Sequence, residues 1–200
     1  INAGEKVAMV GTNGAGKTTL VKLMCGLYKP QSGQILLNGQ PAEKLTFTQR
    51  TNGIGVVFQD CLILPYSIAE NVSMKPYEET DIQQVENCLK CSGLYEEICR
   101  YPFGLRTQMT RAVDGEGIEL SGGQQQKLLM ARMLYRSNAS LWVLDEPTAA
   151  LDALAESETY SFFHALCGER TCIYISHRLA STQFLDRIIL LDEGCIAEDG

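Results

Sequence analysis

The run KVAMV (Lys6 to Val10) stops at Gly11, passes through GTNGAGKT (Gly11 to Thr18) and continues as a helical pattern from Lys17 to about Cys25, closed by Gly26. The segment matches the phosphate-loop pattern G-x-x-x-x-G-K-[ST] in the setting that pattern needs, after a buried strand and before a helix. It constrains the fold strongly, because the strand must sit inside a sheet and the helix must cross back over it. Gly11, Gly14 and Gly16 let the backbone pass close to phosphate oxygens, while amide N–H groups and the helix N-terminus face the anion. Thr12, Asn13 and Ala15 fill the loop between them, and Thr19 follows into the helix. Lys17 brings a full positive charge to the β- and γ-phosphates, and Thr18 offers a hydroxyl to Mg²⁺. A glycine-rich turn without chemistry is the competing reading; the agreement of strand, loop, Lys-Thr and helix argues against it. By itself the loop implies a nucleoside triphosphate and no more.

The remaining pattern extends the same architecture. GQILLNG reads as a strand ending in an Asn-Gly turn, and IGVVFQD as a second buried strand. From Leu62 to about Arg136 helical patterns dominate, broken by KPYEET and YPFGLR. Strands return with SLWVLDE, TCIYISH and RIILLDEG, separated by a helix around Leu154 to Cys167 and a shorter one. Strands alternating with helices predict an α/β fold with a mainly parallel sheet flanked by helices. The expected organisation is a core from residues 1–61 and 137–200, with an inserted helical subdomain at 62–136. A hydrophobic fraction of 45% supplies the core this needs.

Asp145 and Glu146 close the apolar strand LWVLDE, at the sheet edge where ligands of open parallel sheets bind. Asp145 is placed to hold Mg²⁺ as the acidic partner of the phosphate loop. Glu146, next to it, can take a proton from an attacking water. Two strand-end carboxylates in solvent would be unremarkable alone; beside a phosphate loop they read as catalytic.

A second anion site is written in SGGQ, Ser121 to Gln124, at the start of a helix. Ser121 and Gln124 fit a capping box. That leaves Gly122 and Gly123 unexplained, since alanine would propagate the helix better by about 1 kcal/mol per residue. Bare glycines there make sense if an anion must reach the backbone. This turn has no lysine, so it suits a nucleotide already gripped elsewhere. Sequence order leaves open whether the two sites face each other in one chain or across two.

Bulk properties exclude some classes. A net charge of −7 argues against nucleic acid as a partner. No apolar stretch reaches the length of a membrane span. The eight cysteines include several inside apolar runs, such as VKLMCGL and TCIYIS, and read as free buried thiols. Cys88 and Cys91 form a lone C-x-x-C inside a helical pattern, with no second pair and no nearby histidine, and read as helix packing.

The motifs GTNGAGKTT, VVFQD, LSGGQ, LWVLDEPTAALD and ISHR, in that order over nearly the whole chain, resemble the ATP-binding-cassette ATPase domain. The resemblance implies a P-loop NTPase core, ATP and Mg²⁺ as ligands, and two domains paired head to tail. In such a pair the lysine-free turn of one domain covers the γ-phosphate held by the loop of the other. It implies that Gln59 contacts Mg²⁺ or water and senses the transport partner. Asp152 would sit at the dimer seam, and His177 would steady the γ-phosphate and the water; without the family, a histidine at a strand end would read as structural. DCLILPYSIAENVSM and SHRLAST resemble the exporter branch. This adds a transmembrane domain on the same polypeptide and a place on the cytoplasmic face of the cell membrane. DGEGIELSGGQ follows the family's stretch before the signature only loosely, a departure at the contact with transmembrane helices. The family also has upstream strands and an aromatic residue that stacks on adenine, both ahead of Ile1. The expectation is a part of a longer polypeptide that binds ATP more weakly than the intact domain and leaves a sheet edge exposed.

Three rival readings fit the same residues less well. A P-loop kinase would treat the insertion as a substrate lid, but has no use for LSGGQ or for Glu146 beside Asp145. A non-transport member of the family acting on DNA or ribosomes would bring long inserted arms or tandem cassettes, which this chain lacks. A non-hydrolysing clamp would not need Glu146 and His177.

Overall fold

The structure is a computed structural model and describes residues 1–110, 115, 117–136, 139–146, 161–176 and 185–200. The chain divides into two compact units. One comprises Ile1–Gln59, Asn138–Pro147 and Glu156–Gly200; the other comprises Asp60–Ser137 and Thr148–Ala155.

The first unit is built on a six-stranded sheet. Its strands are β1 (Lys6–Val10), β4 (Ile54–Val57), β5 (Leu141–Asp145), β6 (Thr171–Ser176), β7 (Arg187–Asp192) and β8 (Cys195–Asp199). They lie in the order β4-β5-β6-β1-β7-β8. All neighbours are parallel except β7 and β8, which form an antiparallel hairpin. The sheet is therefore α/β and mostly parallel, with one antiparallel edge strand that the sequence pattern does not reveal.

Period-two alternation explains why the inner strands are apolar almost throughout. One face presents Met9, Ile54, Val143, Ile173, Ile175 and Leu191 to Val21 of α1 (Lys17–Met24) and to Cys25, which caps that helix. The intervening positions of β5 and β6 meet helical residues 161–167. There Phe163 stacks on Trp142 at 5.7 Å and edge-on against Tyr174 at 5.3 Å. The Arg170 guanidinium lies 4.7 Å over the Trp142 ring. The segment GQILLNG forms only a two-residue strand, β2 (Leu36–Leu37), paired with β3 (Gln40–Pro41) outside the main sheet. Asn38 and Gly39 turn it with positive φ at both, as the Asn-Gly pair predicts. Before β4 comes a short helix, α2 (Phe47–Asn52), with a Thr46–Gln49 capping box.

The second unit is helical: α3 (Ile68–Ser73), α4 (Ile82–Cys91), α5 (Tyr95–Ile98) and α6 (Gly122–Tyr135). Ile68, Val72, Val85, Leu89, Leu94, Ile98, Leu128 and Ala131 fill its core. Asn71, fully buried on α3, fastens the segment before it. Its amide donates to the Leu64, Tyr66 and Ser67 carbonyls and accepts from the Leu64 N–H. Arg132 of α6 reaches the same place, donating to the Asn71 carbonyl at 2.7 Å, the Asn71 side-chain oxygen at 3.1 Å and the Leu62 carbonyl at 3.1 Å. A buried amide with every group satisfied fixes this loop in one arrangement.

All eight cysteines are free. Cys25, Cys88, Cys167 and Cys172 are buried, and burial pushes the Cys25 and Cys88 thiols up to about 11. Cys91, Cys99 and Cys195 are exposed and Cys61 is half-buried, so the buried-thiol reading holds for part of the set only. On α4, Cys88 of the C-x-x-C is buried and Cys91 is exposed.

Candidate nucleotide-binding site

Because β1, β4, β5 and β6 run parallel, their carboxyl ends share one edge of the sheet. Gly11 leaves β1 there, Gln59 lies just beyond β4, and Asp145 and Glu146 end β5. Gly11 cannot carry a side chain: a Cβ would lie 2.3 Å from the Leu191 carbonyl oxygen of β7. Gly16 starts α1 with φ 98°, a conformation disfavoured for any other residue. The loop is also held from a side the sequence does not announce, since Gly194 in the β7–β8 turn donates to the Ala15 carbonyl at 3.2 Å.

Lys17 is only 5% exposed. Its Nζ donates to the Gly11 carbonyl at 2.8 Å and to the Thr12 carbonyl at 3.0 Å, and lies 3.8 Å from Glu146 Oε1. The loop thus curls around its own ammonium group. Asn13, Gly14, Gly16, Lys17, Thr18, Thr19, Gln59 and Glu146 line a cleft of about 320 Å³. Every line of this cleft comes from one unit, so its geometry stands on its own.

Asp145 is fully buried, and neither carboxylate oxygen has a hydrogen-bond partner among the described residues. Burial pushes its carboxyl above the usual carboxylate range; the neighbouring Glu146 adds to this, while the nearby Thr18 hydroxyl, short of hydrogen-bond geometry, and the Lys17 and Lys22 charges oppose it. A buried, unpartnered carboxylate beside a phosphate loop fits a hard divalent cation, which takes oxygen ligands and supplies the missing charge. Thr18 and Asp145 are the residues that would hold it, with Gln59 in the same cleft.

The cost of that carboxylate can be measured. Because its pKa is raised on folding, the metal-free chain loses stability as pH rises from the ordinary carboxylate range through the raised value. Asp145→Asn removes the charge, so at neutral pH without metal or nucleotide we expect a gain of about 1 kcal/mol. That corresponds to a thermal midpoint about 2–4 °C higher. Differential scanning calorimetry at mildly acidic and mildly alkaline pH checks this. The gain is expected to grow with pH and to reverse in sign when Mg²⁺ and ATP are added, since only the parent gains from the metal.

The SGGQ turn belongs to the helical unit. Ser121 caps α6 with its side-chain oxygen accepting from the Gln124 N–H, and Gln124 Oε1 accepts from the Ser121 N–H at 2.8 Å, so the capping box is formed. Ser121 and Gly122 are exposed, and a Cβ on Gly123 would meet nothing within 4 Å. The fold therefore does not require glycine at 123. Asp152 and His177 lie outside the described residues; β6 ends at Ser176, immediately before His177. One residue beside the turn was not found by motif reading: Gln124 Nε2 donates to Glu97 Oε1 at 2.5 Å. No local spacing links positions so far apart in the chain.

Comparison with known proteins places these features in context. A family model described as ABC transporter matches residues 1–149. The chain is 38% identical over 202 aligned positions to an ATP-dependent lipid A-core flippase of Cupriavidus pinatubonensis, covering 100% of this chain and 33% of that protein. It is 39% identical over 204 positions to the subtilin transport ATP-binding protein SpaT of Bacillus subtilis, covering 100% and 32%. Among solved structures, a bacterial Atm1-family ABC exporter with ATP bound superimposes with a TM-score of 0.86 at 34% identity, over 100% of this chain and 34% of that one. The chain thus spans about a third of the length of the relatives it matches.

Proposed function

The chain belongs to the ABC transporter family, and on that premise we propose that it is the ATP-hydrolysing part of an exporter-type transporter, working as one of a head-to-tail pair. The observation that carries the reading is the division of labour between two turns. One, at Gly11 to Thr19, curls around Lys17 beside Glu146 and a buried unpartnered Asp145. The other, Ser121 to Gln124, has at Gly123 a glycine the fold does not need, and no cation of its own.

In this reading Gly11, Thr12, Asn13, Gly14, Ala15, Gly16, Thr18 and Thr19 wrap the phosphates, and Lys17 exchanges its carbonyl partners for phosphate oxygens. Thr18 and Asp145 hold Mg²⁺, with Gln59 beside it; when bound, the ion neutralises charge on the β- and γ-phosphates. Glu146 takes a proton from the water that attacks the γ-phosphorus. Ser121, Gly122 and Gly123 of a second domain close over the terminal phosphate with hydroxyl and amide donors. We assign Asp152 to the seam and His177 to the γ-phosphate on family resemblance. Binding energy that ATP gains only in the closed pair would drive an attached transmembrane domain between conformations. A transmembrane domain on the same polypeptide and a position at the cytoplasmic face of the membrane belong to this reading; the relatives' printed transport functions and their length, about three times that of this chain, support it.

A site assembled from two chains has a kinetic signature. With saturating Mg²⁺ and ATP, and protein dilute enough to be mostly monomeric, doubling the concentration is expected to raise phosphate release about fourfold. A rate simply proportional to protein concentration, with light scattering showing monomer throughout, would overturn the paired reading.

A further inference from the structure

We propose that Glu97 is a positioning residue for the SGGQ turn, acting through the Gln124 side chain; this rests on the paired ATPase reading above. Glu97 lies on α5, which is pinned by Ile98 and Leu94, both buried in the helical core. Its Oε1 accepts from Gln124 Nε2 at 2.5 Å. Half-buried between these fixed points, the carboxylate has little freedom to look elsewhere.

The chemistry of the link decides which way the amide points. A carboxylate can only accept, so the NH₂ end of Gln124 must face Glu97. The carbonyl end then faces the Ser121 N–H, which it meets at 2.8 Å. Without Glu97 the amide would keep one anchor and regain rotation about its side-chain torsions. With it, the Ser121 N–H and the Gln124 N–H are both engaged inside the turn. The Ser121 Oγ accepts from Gln124, so its own proton remains to be donated outward. The remaining first-turn N–H groups, those of Gly122 and Gly123, which no helix can satisfy internally, are left to an incoming phosphate. Glu97 does not touch the nucleotide in this scheme. It sets the angle at which one domain presents its donors to the phosphate held by another.

Turn geometry of this kind matters only in the closed pair, and that separates it from a general structural role. Glu97→Leu removes the acceptor with little change in size, Glu97→Ala is a smaller lesion should the first fold poorly, and Glu97→Gln keeps a neutral acceptor in place. In the leucine or alanine variant we expect phosphate release at saturating ATP to fall about tenfold. ATP affinity measured under monomeric conditions and the thermal midpoint should stay at the parent values, and the Ser121 amide should exchange hydrogen faster. Glu97→Gln should return turnover to at least about half that of the parent, because geometry and not charge is what the site uses. Parent-like turnover in Glu97→Leu and Glu97→Ala, a parallel loss of ATP affinity, or a glutamine variant as slow as the leucine one would each overturn the proposal. A parent chain with no turnover at any concentration would instead remove the ATPase reading, and this inference with it.

Discussion

Glu146→Gln is expected to slow phosphate release by about 10²–10⁴-fold, while the protein still binds ATP and accumulates as a nucleotide-bound pair. The substitution keeps size and shape and removes only the group that can accept a proton from water. The backbone supports assigning this weight to the position. Glu146 sits at φ 48°, in the left-handed region, just after β5, with its N–H on the Ile175 carbonyl at 3.1 Å. For a residue with a Cβ that conformation costs about 1–2 kcal/mol, which glycine would avoid. The cost is tolerable if the side chain at the turn does something the fold does not ask for. Its carboxylate lies 3.8 Å from Lys17 Nζ, so phosphates that recruit Lys17 also weaken its hold on Glu146. Glu146→Gly is the companion measurement: it should fold at least as stably as the parent and hydrolyse as slowly as the glutamine variant. Phosphate release and size-exclusion chromatography with and without ATP give the answer. Parent-rate hydrolysis by Glu146→Gln would sink the base assignment.

Much of this site was legible because its motif names its own surroundings. A phosphate loop demands a strand before it and a helix after it, and β1 and α1 occupy those places. The inner strands were legible because both their faces are buried, leaving unbroken apolar runs such as LWVLD and TCIYIS. The hairpin strand β8, CIAED, is exposed at every position, so no hydrophobic pattern marks it. What does mark it is the Glu193–Gly194 turn, with positive φ at both residues. Helix α2 buries nothing and was equally silent in periodicity, though Thr46 and Gln49 carry the spacing of a capping box. Contacts between distant positions, Gly194 on Ala15 and Glu97 on Gln124, are set by tertiary packing and leave no local trace. The glycines of the phosphate loop were read as room for phosphate. For Gly11 there is a second reason that only the fold supplies, the carbonyl of Leu191 against its Cα.

Stability and activity should part company at Gly123. Nothing lies within 4 Å of a Cβ built there, and the residue stands in the first turn of α6 in a conformation open to any side chain. Local energetics therefore favour replacement: Gly123→Ala should stabilise the chain by about 0.5–1 kcal/mol, raising the thermal midpoint by a few degrees. Gly123→Leu, also a good helix former, should fold as well as the parent. If the turn exists to let a phosphate held by another domain reach its N–H groups, a leucine side chain occupies the approach. The donors then stand off from the terminal phosphate, and turnover should fall by about 10²-fold or more. ATP binding to the phosphate loop of the isolated chain should be untouched, because that cleft is lined by other residues. Mixing sharpens the test. Each closed pair contains two sites, each joining the loop of one chain to the turn of the other. A chain with Gly123→Leu and an intact loop, mixed with a chain with Lys17→Ala and an intact turn, can still assemble one complete site. The mixture should therefore recover activity that neither variant has alone. Full turnover by Gly123→Leu alone, or no recovery on mixing two folded variants, would mean that the glycines serve some purpose other than admitting a phosphate across the pair.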